Sequence, residues 1–343
     1  GTVSLDRRFS PPSESWAENQ PPGSSLMFLG PEQELTLWEL LAGLAISSGN
    51  DAAVALAVLL DGGVPAFARR MNARSRELGL TDLYFVEPSG LSPQNTITAH
   101  AFARFVLAHI QRFPWTLEEL YNRTSYTYPD EENRLSAAAR PPVMQSNRNT
   151  LVGTVEGVDG IKTGFIEASG YHLAATAERN GRRLVAIVLG IDAESHARGG
   201  AVRAAEAEAL LEYGFRAFTE LELGYPAPRP VTIYRGRAGE AVPAGPARLR
   251  VSVPRGAEER IEGRLDQIDE VLAPTPRAIV GEVSIVLDGV TVAAEPLVLP
   301  AQEEAGFLGR LWDGARLAFR RLLGRERARD LPVPASELVP AVP

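Results

Sequence analysis

Asn180-Gly181 constrains what this chain can fold into more than any other dipeptide in it. The pair separates Tyr171-His172-Leu173-Ala174-Ala175-Thr176-Ala177, which alternates like a strand, from the apolar run Leu184-Val185-Ala186-Ile187-Val188-Leu189-Gly190. Asn-Gly supplies the two positive-φ residues of a tight turn whose twist matches that of its strands. The two runs therefore read as an antiparallel hairpin with a largely buried second strand. Helical patterns surround it. Thr36 caps a helix through Leu37, Leu40, Leu41, Leu44 and Ala45, with Glu39 completing a capping box, and this helix stops at Ser47-Ser48-Gly49-Asn50. A second helix from Asp51 to Leu60 is apolar on nearly all sides and reads as buried, and Gly62-Gly63 ends it. An amphipathic helix follows over 65–78, another capped by Thr98 runs over 99–111, and a long one covers 198–218. Residues 126–148 read as a polar, poorly periodic excursion. Antiparallel hairpin strands beside several helices predict an α+β domain.

The residue that points to chemistry is Lys162, the only lysine in a chain otherwise supplied with arginine. A lysine ammonium is a compact point charge whose pKa shifts on burial, which arginine cannot match. It lies in Val158-Asp159-Gly160-Ile161-Lys162-Thr163-Gly164, where the glycines let backbone approach a ligand closely. A lone K-T-G is more often an exposed turn than a site; a second element upstream, Ser48-Gly49-Asn50, changes that weighting.

Other chemistries are excluded by composition. The absence of cysteine rules out disulfides, thiolate nucleophiles and cysteine-based metal sites. His100, His109, His172 and His196 show no ligand spacing, and no glycine-rich phosphate loop is present, so neither a metal nor a cofactor is expected. A net charge of −8 argues against nucleic acid as a partner. With 343 residues, 45% of them hydrophobic, the chain can bury the cores of two domains.

From Pro226 the composition shifts toward proline, glycine and short alternating segments, including a hairpin around Asp288-Gly289. A small β-rich domain is expected over 226–302, the alternative being strands that extend the first domain's sheet. Over 303–325, Phe307, Leu308, Leu311, Trp312, Ala315, Phe319, Leu322 and Leu323 share one helical face, opposite Arg310, Asp313, Arg316, Arg320 and Arg321. That pattern suits a helix lying in a membrane interface; packing on the β domain is the alternative. The tail 326–343 is expected to be disordered.

S-x-N and K-T-G belong, with S-x-x-K, to the signature of penicillin-binding proteins and class A β-lactamases. Gly23-Ser24-Ser25-Leu26-Met27-Phe28-Leu29, Ser47-Ser48-Gly49-Asn50-Asp51-Ala52, Asn147-Arg148-Asn149, the lysine segment, Ala168-Ser169-Gly170-Tyr171 and the helix from Arg203 to Tyr213-Gly214-Phe215 occur in the order seen in the serine-type D-alanyl-D-alanine carboxypeptidases. The chain resembles that family up to about Arg325. The resemblance implies a β-lactamase/transpeptidase-like catalytic domain over 1–225, cleavage of the last D-alanine from peptidoglycan stem peptides through an acyl-enzyme, inhibition by β-lactams, and placement on the outer face of the cytoplasmic membrane. It assigns Ser48 to proton relay toward the leaving amine, Asn50 to the peptide amide, and Lys162 to positive charge beside Ser48. Thr163 with Arg203 would take the terminal carboxylate. Gly49, Arg148, Gly164 and Phe165 would complete the substrate cradle, with an oxyanion-hole N–H near Phe165.

The chain departs from the family at one point. An S-x-x-K tetrad ending at the only lysine requires serine at 159, and that residue is Asp159. The expectation is an N-terminal truncation that removed the nucleophile, so that the chain as written does not form an acyl-enzyme. A non-catalytic peptidoglycan-binding relative and a β-lactamase are the rival readings.

Overall fold

The computed structural model describes residues 4–322 and divides them between two compact units, one ending at Phe215 and one beginning at Arg216. In the first unit, Arg8–Phe9 pairs with Leu35–Thr36. Helix α1 (Leu37–Ala42) starts where the capping box predicts: Thr36 Oγ1 accepts the Glu39 N–H at 3.2 Å, and Glu39 Oε2 accepts the Thr36 N–H at 2.6 Å. The helix then widens into a single looser turn over Gly43–Ser47. Helix α2 (Asn50–Asp61) is closed by Gly62 at φ 72°. Helix α3 (Val64–Glu77) and helix α4 (Ala99–Arg112) follow, the latter capped by Thr98. The excursion expected to be irregular holds a short ladder, Ser125–Thr127 against Met144–Ser146.

Strands β1 (Val158–Ile166), β2 (Gly170–Arg179) and β3 (Arg182–Ile191) form an antiparallel sheet in that order. The β2–β3 turn has Asn180 at φ 52° and Gly181 at φ 74°, the geometry an Asn-Gly hairpin demands. Helix α5 (His196–Ala217) buries Ala204, Ala207 and Leu211 against Leu173, Ala175, Ala177, Ala186 and Val188. On the other side, Val106 and Ile110 of α4 pack with Ile161 and Ala174. Small residues on both β2 and α5 let helix and sheet approach closely. Each fully buried large aliphatic side chain, such as Leu173 or Leu211, contributes roughly 1.5–3 kcal/mol. Helix α2 packs Ala52, Ala55 and Leu56 on Met27, Leu29, Leu35, Leu40 and Tyr128, burial of the kind its apolar sequence predicts.

The second unit is β-rich. Phe218–Leu223 pairs with Leu249–Pro254, Val231–Tyr234 with Glu240–Ala241 and, in parallel, with Glu270–Leu272. Ile261–Gln267, Ala278–Leu287 and Val290–Leu299 form a three-stranded antiparallel sheet whose hairpin turns at Asp288-Gly289. Because Phe218–Leu223 pairs over its whole length with Leu249–Pro254, the division falls at 215/216 rather than at the composition shift near 226. Helix α6 (Phe307–Leu322) ends the described chain, and the tail 326–343 lies outside the described residues. Asp313 of α6 accepts the Arg235 N–H at 2.7 Å and Arg316 sits over the Tyr234 ring, while Phe307, Leu308, Leu311 and Trp312 are all exposed. No single helix among the described residues is long and apolar enough to cross a membrane.

Candidate active site

The S-G-N turn is built by its backbone. After the wide turn at Gly43–Ser47, Ser48 adopts φ 58°, ψ 39°, which stops α1 and lets the chain reverse into α2. A Cβ on Gly49 would lie 2.6 Å from Asp51 Oδ1 and 2.9 Å from Met27 N, so only glycine fits. Asn50, itself buried, donates its N–H to Ser25 O at 2.8 Å. Asp51, fully buried, accepts the N–H groups of Met27, Phe28, Leu29 and Ala52 at 2.8–3.0 Å. Burial pushes its carboxyl pKa up, against those four amides, which pull it down. The carboxylate thereby holds Phe28 at φ 75°, a conformation that costs a bulky residue about 1–3 kcal/mol.

Strand β1 carries the lysine across from this turn. Lys162 Nζ donates to Ser48 Oγ at 2.6 Å and to Thr163 O at 2.9 Å. Burial, together with the guanidinium groups of Arg148 and Arg203, brings its pKa down to about 7. Thr163 is buried, and Arg203 Nη1, reaching from α5, donates to Gly164 O at 3.0 Å. Arg148 Nε donates to Ser47 O at 3.1 Å, and the Arg148 carbonyl accepts from Arg203 Nη2 at 3.5 Å. Hydrogen bonds thus join Ser47 to Arg148, Arg148 to Arg203 and Arg203 to Gly164, while Lys162 joins Ser48 to Thr163, so that the S-G-N turn, the Arg148 loop, strand β1 and helix α5 meet here. Beside it lies an open cleft of ≈430 Å³ lined by Gln145, Ser146, Asn147, Arg148 and Arg203. None of the three cations is ion-paired among the described residues. In a chain of net charge −8, that makes a local site for an anion.

Phe165 continues β1, but its ring stacks on Tyr171 at 4.2 Å between centroids and meets His196 edge-on at 4.8 Å. Tyr171 in turn shares a hydrogen bond with His196 Nδ1 at 2.9 Å and lies beneath the Arg203 guanidinium. His172 is half-buried: its Nδ1 accepts the Gly190 N–H at 3.0 Å and its Nε2 contacts Ser169 Oγ at 2.8 Å.

Sequence reasoning missed three supports. In the sequence Asp51 stands only as the first residue of the second helix and a member of the Ser47–Ala52 motif. Asn147 donates to Tyr121 O and Arg123 O, and buried Asn149 donates to Gly160 O at 3.0 Å, so the two asparagines fix the loop and strand that flank Arg148. The N-R-N spacing was the available signal. The contact of Tyr171 with His196 joins β2 to α5 and had no local signature. No group of metal ligands occurs among the described residues.

A helix-flanked antiparallel sheet whose edge lysine faces an S-x-N serine defines a penicillin-recognising serine peptidase fold. The family described as D-alanyl-D-alanine carboxypeptidase matches residues 1–193, and the chain belongs to it. It is similar to D-alanyl-D-alanine carboxypeptidase DacC of Escherichia coli strain K12, with 32% identity over 91% of this chain and 75% of that protein. Its fold is similar to that of penicillin binding protein 5 from Haemophilus influenzae, with a TM-score of 0.72 and 27% identity over 88% of this chain and 84% of that one. A further likeness, TM-score 0.50 and 27% identity over 62% of this chain and 78% of that one, is to Penicillin-Binding Protein D2 from Listeria monocytogenes in its cefotaxime-bound form. The chain is thus a member of a serine-type hydrolase family that removes the terminal D-alanine of a D-Ala-D-Ala peptide, as its sequence resemblance implies.

Proposed function

We propose that the first compact unit forms the substrate cradle of a D-Ala-D-Ala carboxypeptidase acting on peptidoglycan stem peptides. The observation that carries this reading is the set of three unpaired cations around Ser48. A peptide end presents one carboxylate, and a hydroxyl with a guanidinium fork is the chemistry that grips it. Thr163 and Arg203 hold that carboxylate, with Arg148 adding positive charge. Gly164 and Phe165 present backbone that pairs with the substrate, and a backbone N–H near Phe165 serves the oxyanion. Gly49 lets Asn50 approach the peptide amide. When a serine hydroxyl attacks the penultimate carbonyl, it gives up its O–H proton and the C–N bond to the last D-alanine breaks. The departing nitrogen takes a proton through Ser48 from the Lys162 ammonium, whose pKa of about 7 lets it give that proton up, and the proton released by the attacking hydroxyl makes good the loss. Water then releases the acyl group.

The acyl-accepting serine of the S-x-x-K pattern is not among these 343 residues, because the one lysine is preceded at the required spacing by Asp159. That favours a second reading, in which these residues bind the peptide end without cleaving it. One pair of measurements separates the two: D-alanine release from a diacyl-D-Ala-D-Ala peptide by the gene product, and equilibrium binding of the same peptide to residues 1–343. Release supports the carboxypeptidase; binding without release supports the binder; neither overturns both.

We further assign helix α6 to a membrane surface on the outer face of the cytoplasmic membrane, since Phe307, Leu308, Leu311 and Trp312 are exposed while Asp313 faces its own unit. Deleting residues 303–343 is expected to release the protein from liposomes containing anionic lipid; undiminished binding would refute the assignment. β-Lactams are the expected inhibitors wherever the acylating serine is present.

A further inference from the structure

A second cleft, ≈320 Å³, lies on the first unit among Trp16, Glu18, Phe28, Pro31, Arg140 and Pro141. The catalytic reading uses none of these side chains. Phe28 and Trp16 each bring an aromatic ring to it. The indole N–H of Trp16 is already given to Pro11 O at 3.1 Å, so that ring has only its apolar faces to offer. Phe28 is held at φ 75° by Asp51, and strain of this kind persists where the surrounding structure over-determines it for a purpose. Two opposite charges share the lining without touching. Arg140 sits over the Phe28 ring at 4.8 Å and has no hydrogen-bonding partner among the described residues; neither does the exposed Glu18.

We propose that this cleft binds a sugar ring of the N-acetylhexosamine type. The C–H face of a pyranose and an N-acetyl methyl are apolar and suit the aromatic and proline walls. Ring hydroxyls and the acetamide need both a donor and an acceptor, which an unpaired guanidinium and an unpaired carboxylate supply without requiring a charged ligand. The pocket volume suits one or two such rings. The cleft is also tied to the turn that carries Ser48. Phe28 hangs on Asp51, Met27 N lies against Gly49, and Asn50 donates to Ser25 O, so segment 25–29 joins the cleft to the S-G-N turn. A stem peptide is attached to such a sugar, and on the proposed carboxypeptidase reading this subsite holds the glycan while the cation site reads the peptide's free end.

The probe is the β-1,4-linked N-acetylglucosamine trimer, titrated calorimetrically into the full chain. Saturable binding in the millimolar range is expected, weakened at least fivefold by Arg140→Ala and by Glu18→Gln. Both residues are exposed, and unchanged circular dichroism and melting temperature verify that the variants are folded. Arg148→Ala, in the other cleft, leaves trimer binding unchanged. No saturable binding, or binding that survives both variants, or binding lost only with Arg148→Ala, overturns the proposal. Because the readout involves no D-alanine release, failure of the carboxypeptidase reading and failure of the sugar site are seen separately.

Discussion

Lys162 and Ser48, 114 positions apart in the chain, meet at 2.6 Å, and the ammonium that donates in that contact has no carboxylate beside it among the described residues. Burial and two guanidinium groups bring its pKa from 10.5 to about 7. The folded protein therefore holds fewer protons on this group than the unfolded chain between pH 7 and pH 10.5. The cost of burying the charged form is fully present below pH 7 and is relieved as pH rises toward 10.5. Lys162→Met is accordingly expected to raise stability relative to the parent at pH 6 and to lose that advantage at pH 10, as read by urea unfolding at the two pH values.

A carboxylate bound among Lys162, Arg148 and Arg203 favours the charged lysine and draws a proton onto it. Binding of a diacyl-D-Ala-D-Ala peptide at pH 7.5 is expected to take up protons, and affinity should fall as pH rises above 7. Calorimetry in buffers of different ionisation enthalpy measures the uptake. A proton count of zero would place the carboxylate elsewhere.

Arg203 and Thr163 are expected to act on peptide binding with little effect on folding. A hydrogen bond to a charged group contributes about 1.5–3 kcal/mol, roughly ten- to hundredfold in affinity. Thr163→Val and Arg203→Ala should each weaken the peptide by that factor. Arg203→Lys should recover only part of it, since an ammonium lacks the planar fork. Equal losses for a peptide ending in an amide would show that the carboxylate is not what they read.

Much of this arrangement was legible in the residues. The Asn180-Gly181 turn, the Thr36–Glu39 box and the apolar α2 each carry their instructions within a few positions, and each appears as read. The motif pair S-G-N and K-T-G, far apart in the chain, meets in the fold through the Lys162–Ser48 contact. What local pattern could not reveal depends on distant partners. Asp51 is an ordinary helix-start acid until segment 25–29 folds over it, and Tyr171 is a strand residue until α5 brings His196 to its hydroxyl. The boundary at 215/216 was hidden for the same reason: only its partner, Leu249–Pro254, shows to which unit Phe218–Leu223 belongs.

Asp51 offers the sharpest test of that long-range wiring. Asp51→Ala leaves the N–H groups of Met27, Phe28 and Leu29 without their acceptor, each worth about 1–3 kcal/mol when buried and unsatisfied. A loss of at least about 3 kcal/mol in denaturant unfolding is expected. Hydrogen exchange at residues 27–29 should quicken beyond the change in global stability.

Labelled penicillin tests the division of roles at Ser48. Residues 1–343 are expected to form no adduct that survives denaturation, because the S-x-x-K pattern is not present and the proposed role of Ser48 is to relay protons rather than to be acylated. A stable adduct mapped to Ser48 would make it the acylated residue and overturn the assignment.

A chain with a single lysine carries a unique chemical address. An amine-directed reagent finds one side-chain amine in the whole protein, hydrogen-bonded to Ser48, and with a pKa of about 7 about half of it is uncharged and nucleophilic at neutrality. Acylation at residue 162, slowed by whatever occupies the cleft, therefore gives a stoichiometric gauge of site occupancy without a catalytic assay.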